Sequence, residues 1–537
     1  GPAYIAAALE RAGHRVTVID GAGEAPRRRR PTVHPYAVGF GLTNKEIVER
    51  LPADVDVIGV SVMFSIQWPD SAALLDEIHR RFPGVPIILG GEHVTATWSY
   101  LLETRPEVSV CVLGEGDDTA VDVLEWVEGK RALESIAGIG YRLEGRPHRS
   151  SARARMRDMA RLPRPAWHLF PIENYLSNGL GSTSTSLGRS MPILATRGCP
   201  FECTFCSSPQ MWTTRYYVRP VADVVDEIEG YVARYKVTNI DFEDLTPILR
   251  ADWILEFGRE VERRGLELSF QFANGTRSEV LDEDVLSALV RAGWRYLTYA
   301  PDSGSERVVK RVRKKVDLDK MLESMEKALR LGLVVRANMI IGYPFETRAD
   351  ILASIRFCLR LAQMGVEDIP LFPFCPYPGS ELYDELRSAG RLPPLGDEYF
   401  ASLAITDFSR TDSYCAEVGS RELHFYRIAG MSSFILAGYL SHPGRILRTV
   451  RNVAQGRPAS SVEGALVDTL KRLLSRASEG DEATTEVGSA SAGFAVDEAT
   501  QRAARPAGSP LPGSHVESAL LSASGGKPIL RRSLPIL

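Results

Sequence analysis

The sequence predicts an α/β protein: an N-terminal doubly wound parallel-sheet domain, a partial (βα)6 barrel, a helical C-terminal segment and a disordered tail. Three observations carry that reading. Runs rich in β-branched residues alternate with amphipathic segments through residues 1–150. A second series of six such runs fills residues 191–390, as a parallel sheet curled into a full or partial barrel requires. Beyond that the pattern is helical to residue 478, and residues 479–537 are rich in Ser, Ala, Gly and Pro with little apolar periodicity.

Taken in order, "GPAYIAAALERAGHRVTVID" reads as a helix ended by Gly13 and then a strand. A sheet of this kind normally opens on a strand, so a short segment before Gly1 is expected to supply it. "VDVIGVSVMF" and "VPIILGG" suit strands buried on both faces, with the helical "DSAALLDEIHRRF" between them and "VSVCVLGEG" after. Glycines gather where these strands end, at Gly90, Gly91, Gly114 and Gly116. Each pair can make a tight turn; two successive strand ends favour room for a ligand at the carboxyl edge. Residues 151–190 read as a connector, proline-punctuated and then polar and flexible. The barrel strands are "MPILATRG", "VTNIDFED", "LSFQFANGT", "YLTYAPDSGS", "VVRANMIIGYP" and "VEDIPLFPF". Past residue 391, "IAGMSSFILAGYL" is too short to span a bilayer and is expected to pack on the barrel. Arg445, Arg448 and Arg451 form a basic helical edge after it.

Bulk composition narrows the function. The 537 residues are 44% hydrophobic and 25% charged with a net charge of −4. That is ordinary globular chemistry, without the basic face that nucleic acid demands. The run Arg27 to Arg30 reads as a solvated loop. No apolar stretch approaches the length of a membrane span, and Cys111, Cys358, Cys375 and Cys415 have no pairing logic. A reducing cytoplasm is the expected compartment.

The chemistry concentrates in "RGCPFECTFCSSPQMW". Cys199, Cys203 and Cys206 fall within eight residues of a chain with seven cysteines, just after the first barrel strand. Structural zinc generally wants four ligands, and the nearest histidine, His168, lies 31 residues upstream. Three thiolates on a four-iron cluster leave one iron open to bind a small molecule. Phe205 would shield such a cluster and offer a face to an adenine.

C-x-x-x-C-x-Φ-C after the first strand of a βα barrel resembles the radical S-adenosylmethionine (SAM) superfamily. The resemblance implies a [4Fe–4S] cluster on Cys199, Cys203 and Cys206, with SAM on the open iron as the source of a hydrogen-abstracting radical. It implies SAM contacts from Glu243 and Asp244 in "FED", and from Asp302 and Ser303 in "PDSGSER", which is similar to the usual "ESGSER". Further SAM contacts are implied from Phe205, Arg336 and Asn338. "IIGYPFET" resembles the turn usually written "GxPGET". "DVIGVS", "GGEHVTA" and "GEGDDT" resemble the cobalamin-binding domain that precedes many such barrels. That implies cofactor contacts from Ser61, Gly90, Gly91, Glu92, His93, Gly114, Glu115 and Gly116. No D-x-H-x-x-G occurs, so the lower face of the cobalt is read as lacking a histidine ligand.

The stretch "GRSMPILATRGCPFECTFCSSPQMWTTRYY" looks most like the branch holding the anaerobic magnesium-protoporphyrin monomethyl ester cyclase and related cobalamin-dependent methylases. The resemblance implies C-methylation of an unactivated carbon in a small natural product or lipid. An oxidative cyclase or ring-rearranging enzyme is the alternative, and a corrinoid-binding redox module a weaker one. Expected partners are the small-molecule substrate and an electron donor such as flavodoxin or ferredoxin, with membrane contact a secondary expectation. No catalytic side chain is singled out.

Overall fold

The structure is a computed structural model. It describes residues 1–33, 38–181, 188–247, 249–272, 274–405, 411–455, 460, 463–464, 466–467 and 533–536. The β-branched runs form strands where burial on both faces needs them: β1 (Arg15–Val18), β2 (Ile58–Ser61), β3 (Ile87–Gly90) and β4 (Val108–Val112). Ile58, Leu89 and Val110 are fully buried. Their connections are α1 (Pro2–Arg11), α2 (Trp68–Arg81), α3 (Glu92–Thr104) and α4 (Asp117–Val127). Two further strands, β5 (Ile139–Leu143) and β6 (Arg146–Arg149), extend the sheet antiparallel, which the sequence reading did not anticipate.

The second sheet contains β7 (Ser190–Ile193), β8 (Asn239–Phe242), β9 (Ser269–Phe272), β10 (Trp294–Asp302), β11 (Val334–Ile341) and β12 (Leu371–Pro373). All six are parallel, in the order β12-β11-β10-β9-β8-β7. Among the described residues β7 and β12 remain unpaired with each other, so the barrel is partial. One face of the sheet packs under α5 (Val221–Tyr235), α6 (Ala251–Arg263), α7 (Glu283–Ala292), α8 (Leu318–Arg330) and α9 (Arg348–Met364). Strand alternation turns Asn239, Asp241, Gln271, Arg336 and Asn338 to the other, concave face.

An aromatic cluster anchors the packed face. Trp294 stacks on Phe270 at 4.7 Å and on Phe242 at 5.5 Å, and is 1% exposed. Trp294→Ala is expected to cost about 3–5 kcal/mol, read as a fall in the urea midpoint.

The first sheet has seven strands, because β13 (Ser533–Ile536) lies between β1 and β2, parallel to both. This places four residues of the expected disordered tail in a sheet; the rest of residues 479–537 lies outside the described residues.

Other expectations are corrected locally. Arg28 ion-pairs with Glu46, and Arg29–Pro31 pairs antiparallel with Val38–Phe40, so the arginine run is not simply a solvated loop. The connector is tied down: Trp167 Nε1 donates to Tyr231 at 2.8 Å and Tyr175 OH to Asp20 at 2.8 Å. Its most polar part, residues 182–187, lies outside the described residues. Helix α10 (Ser420–Ser441) packs on the barrel as expected, burying Leu423, Phe434 and Arg427, whose guanidinium donates to the Ile405 carbonyl at 2.7 Å. Helix α11 (Gly444–Ala454) folds Arg448 back onto Glu367 at 2.5 Å, which takes it out of a free basic edge. Among the described residues no helix is long and apolar enough to cross a membrane.

Candidate functional site

The site is built where strand β7 ends. Gly198 has φ +95°, and a Cβ there would fall 2.1 Å from the Arg215 carbonyl oxygen, so the chain turns on a residue without a side chain. The loop that follows carries Cys199, Cys203 and Cys206, all half-buried. The Cys206 amide donates to the Cys203 carbonyl at 3.1 Å. Thr246 Oγ1 donates to Cys199 Sγ at 3.2 Å, and the Ser208 amide to Cys206 Sγ at 3.5 Å. Burial pushes the Cys203 thiol up to about 11 and raises Cys206 as well. Thiolates here therefore need a cationic centre to be stable. Among the described residues no three Cys, His, Asp or Glu side chains converge as a single zinc ion requires, whereas a cubane takes each thiolate at its own iron.

Phe205 is partly buried in an apolar patch, with its ring edge-on to Tyr343 at 5.7 Å. The two carboxylates of "FED" separate in role. Asp244 is 0% exposed and accepts from the Ala195 amide at 3.1 Å and from the Thr196 hydroxyl. It braces the chain leading into the cysteine loop, and burial raises its carboxyl to about 6. Glu243 is half-buried at the carboxyl end of β8.

Asp302 holds φ +61° and ion-pairs with Lys314. Ser303 is fully buried, its hydroxyl 3.1 Å from that of Ser354 on α9, which makes it a packing residue of the turn. Arg336 and Asn338 share the concave face of β11, with Arg336 4.0 Å from Asp368. The Asn338 side-chain oxygen is buried with no hydrogen-bond partner.

Lys314 escaped the sequence reading. It is 9% exposed and its ammonium lies 5.9 Å from the centre of the Phe205 ring. Asp302 keeps it charged against the cost of burial, and it bears electrostatically on Cys203. The only signal was its place in the "RKK" run, Arg313 to Lys315, where both flanking residues adopt positive φ.

The carboxyl edge of the first sheet faces the same loop. Ser61 is exposed at the end of β2. A Cβ on Gly90 would meet nothing nearer than 3.9 Å, and one on Gly114 nothing nearer than 3.5 Å, so both strand ends leave a cradle that side chains would fill. Gly91 is different: at φ +116° its Cβ would fall 2.3 Å from the Val62 carbonyl oxygen, a requirement of the turn itself. Gly116 packs close to Ile5. His93 lies in the core, 1% exposed, its Nδ1 2.9 Å from the Ser65 hydroxyl and its ring stacked on Trp68. Burial pushes its pKa down to about 3. The sequence reading also missed Met63, Phe64 and Ile66, an apolar loop after β2 exposed by 46%, 59% and 40%.

The remaining candidates join the two sheets. Glu92 accepts from Ser207, next to the third cysteine. Arg197, two residues before Cys199, donates to Asp117 at 2.7 and 3.1 Å and lies 3.6 Å from Glu115. Glu115 also pairs with Arg155 at 3.0 Å, so its carboxylate belongs to this clamp. The cysteine loop is thus fastened to the ligand edge of the first sheet.

Comparison with known proteins agrees with both halves. Residues 1–124 match the B12 binding domain and residues 193–358 the radical SAM superfamily. The chain is 26% identical to an uncharacterized methyltransferase of Pyrococcus horikoshii, over 72% of this chain and 77% of that one. It is 28% identical to the cytidylyl-2-hydroxyethylphosphonate methyltransferase of Streptomyces wedmorensis, over 73% and 78%. The fold is similar to that of the radical SAM methyltransferase TsrM from Kitasatospora setae, with a TM-score of 0.55 and 19% identity over 73% of this chain and 74% of that one. The chain thus carries a B12 binding domain over residues 1–124 and a radical SAM domain over residues 193–358.

Proposed function

We propose that this enzyme is a cobalamin-dependent radical SAM C-methyltransferase acting on an unactivated carbon of a small molecule. One observation carries the reading: the cysteine loop abuts the carboxyl edge of the B12-binding sheet through Glu92–Ser207 and Arg197–Asp117. Such contact supports a reading in which two cofactor sites serve one substrate. The methyltransferases among its relatives support the same reaction class.

When bound, the cluster with SAM supplies a hydrogen-abstracting radical and cobalamin the methyl group. Cys199, Cys203 and Cys206 would hold the cluster. Thr246 and the Ser208 amide donate to two of the sulfurs, and Lys314 adds a fixed positive charge near Cys203. Those partners stabilise thiolate charge and tune the reduction potential. Glu243, Arg336 and Asn338 would be the polar groups that orient SAM. Gly90 and Gly114 would leave space for the corrinoid, against which Met63, Phe64 and Ile66 would pack. A small reduced iron–sulfur or flavin protein is the expected electron donor, and the cytoplasm, where all seven free cysteines stay reduced, the expected compartment.

Phe64→Asp is expected to weaken cobalamin retention about tenfold while leaving cluster absorbance unchanged, because it replaces apolar packing with a charge. The reaction class is tested by anaerobic reconstitution with cobalamin, SAM and a strong reductant. Formation of 5′-deoxyadenosine together with S-adenosylhomocysteine and methylated cobalamin supports methyl transfer. Deoxyadenosine alone, with cobalamin bound but never methylated, would replace this reading with cyclisation or rearrangement.

A further inference from the structure

Helix α11 is folded with its polar side inward. Arg445 donates to the Gly365 carbonyl at 2.5 Å and Arg448 pairs with Glu367. Thr449 and Asn452 both donate to Glu463 at 2.9 Å. Ile446, Leu447 and Val450 are left on the outside, Leu447 at 78% exposure, and the helix has no buried residue.

Helix α10 adds a second apolar stripe. Leu423, Arg427, Gly430, Phe434 and Gly438 are its buried residues, at the three- and four-residue spacing of one helix face. The opposite face carries Phe425, Ile428, Leu436 and Leu440, exposed by 65%, 40%, 61% and 74%. At the rise of an α-helix that stripe is about 22 Å long. The two helices meet where Tyr439 OH lies 3.1 Å from Thr449 Oγ1. Single exposed leucines are ordinary, but seven large apolar side chains exposed on two consecutive helices mark a binding surface.

Charge decides what fits that surface. No acidic residue occurs between Glu422 and Glu463, whereas five arginines do. Arg421, at the start of α10, and Arg451, in the last turn of α11, are exposed. Helix α9, whose Ile355 packs at Gly430, exposes Leu352 together with Arg356 and Arg360. Glu422 is held by Arg348 at 2.6 Å. A second copy laid on this face would set arginine against arginine. An anionic lipid surface offers acyl chains to the apolar stripes and phosphates to the arginines. Neither helix is long and apolar enough to cross a bilayer, so the contact lies in the plane of the interface.

We propose that helices α10 and α11 form a peripheral docking face for anionic bilayers, with the leucines among the acyl chains and the arginines at the phosphates.

The test co-sediments reconstituted holoenzyme with vesicles of phosphatidylcholine, alone or with about one-third phosphatidylglycerol. Binding to the anionic vesicles is expected to be at least about tenfold tighter, and high salt should shrink that preference. Leu440→Glu combined with Leu447→Glu should weaken binding at least about tenfold, because two apolar side chains no longer leave water. Both positions are exposed, so cluster absorbance, cobalamin retention and the urea midpoint should stay at wild-type values. Arg356→Glu combined with Arg451→Glu should erase the preference for anionic vesicles. Absence of vesicle binding overturns the assignment, as does equal binding to both vesicle types. So do undiminished binding in the leucine variant and a preference that survives the arginine variant. Sedimentation velocity on the same samples identifies the other occupants. A dimer that the leucine variant dissociates gives the face to a second copy. A monomer silent toward vesicles gives it to residues 468–532 of the chain itself, and either result overturns the membrane assignment.

Discussion

Cys203→Ala is expected to yield a chain that folds but shows neither cluster absorbance nor 5′-deoxyadenosine above background. On the proposed ligand set three thiolates would serve a four-iron cluster with one iron left for SAM, so no spare ligand could take over. Cys203 sits at the centre of the loop: its carbonyl accepts the Cys206 amide, and its sulfur feels the charge of Lys314. Cys358→Ala is the control. That thiol is fully buried in helix α9 and is pushed up to about 12 by desolvation, so it neither ionises nor reaches a metal. Iron content, visible absorbance and SAM cleavage, measured on both variants, decide the matter. Cleavage surviving in Cys203→Ala would remove the cluster from this loop.

Asp117→Ala is expected to destabilise the protein by about 3–5 kcal/mol, since it leaves the Arg197 guanidinium buried without its main counter-charge. The pair is dry: the side chains of Arg197 and Asp117 are 6% and 5% exposed. Glu115 at 3.6 Å offers a longer, weaker substitute already engaged by Arg155. Arg197→Met combined with Asp117→Leu should recover much of the loss, because removing both charges also removes both desolvation costs. Urea midpoints of the wild type, the two single variants and the double variant give the coupling. A single-variant effect below about 1 kcal/mol would mean the contact behaves like a surface pair.

The chemistry was more legible than the roles of individual polar residues. Three cysteines at fixed spacing after an apolar run state a ligand set in sequence alone, because few other arrangements need them. Strand runs such as "VPIILGG" were equally plain, since burial on both faces leaves a continuous apolar signature. Asp244, Ser303, Glu115 and His93 were read as cofactor contacts; in the structure they bond to backbone, to a neighbouring helix, to arginines and to the core. A polar side chain at a strand end can satisfy a ligand or its own fold, and only the folded neighbourhood decides which. Lys314 was passed over: inside a run of basic residues nothing marks it, yet the turn around it buries it against Asp302. Strands β5 and β6 were missed because "IGYRLEGRPHR" carries charge on the solvent side and little apolar alternation.

The clamp between Arg197 and the Asp117–Glu115 pair bears on how such enzymes can be recombined. Exchanging a B12-binding half between relatives would transplant one side of a buried charge lattice without its complement. A working hybrid would have to carry Arg155 and Arg197 together with the acidic pair, so the heritable unit of specificity spans the seam and not either half. Libraries cut at the connector, which looks like the natural joint in the sequence, would therefore yield many mismatched chains. Cuts that keep residues 115–197 intact would preserve the lattice and leave the later barrel loops free to vary.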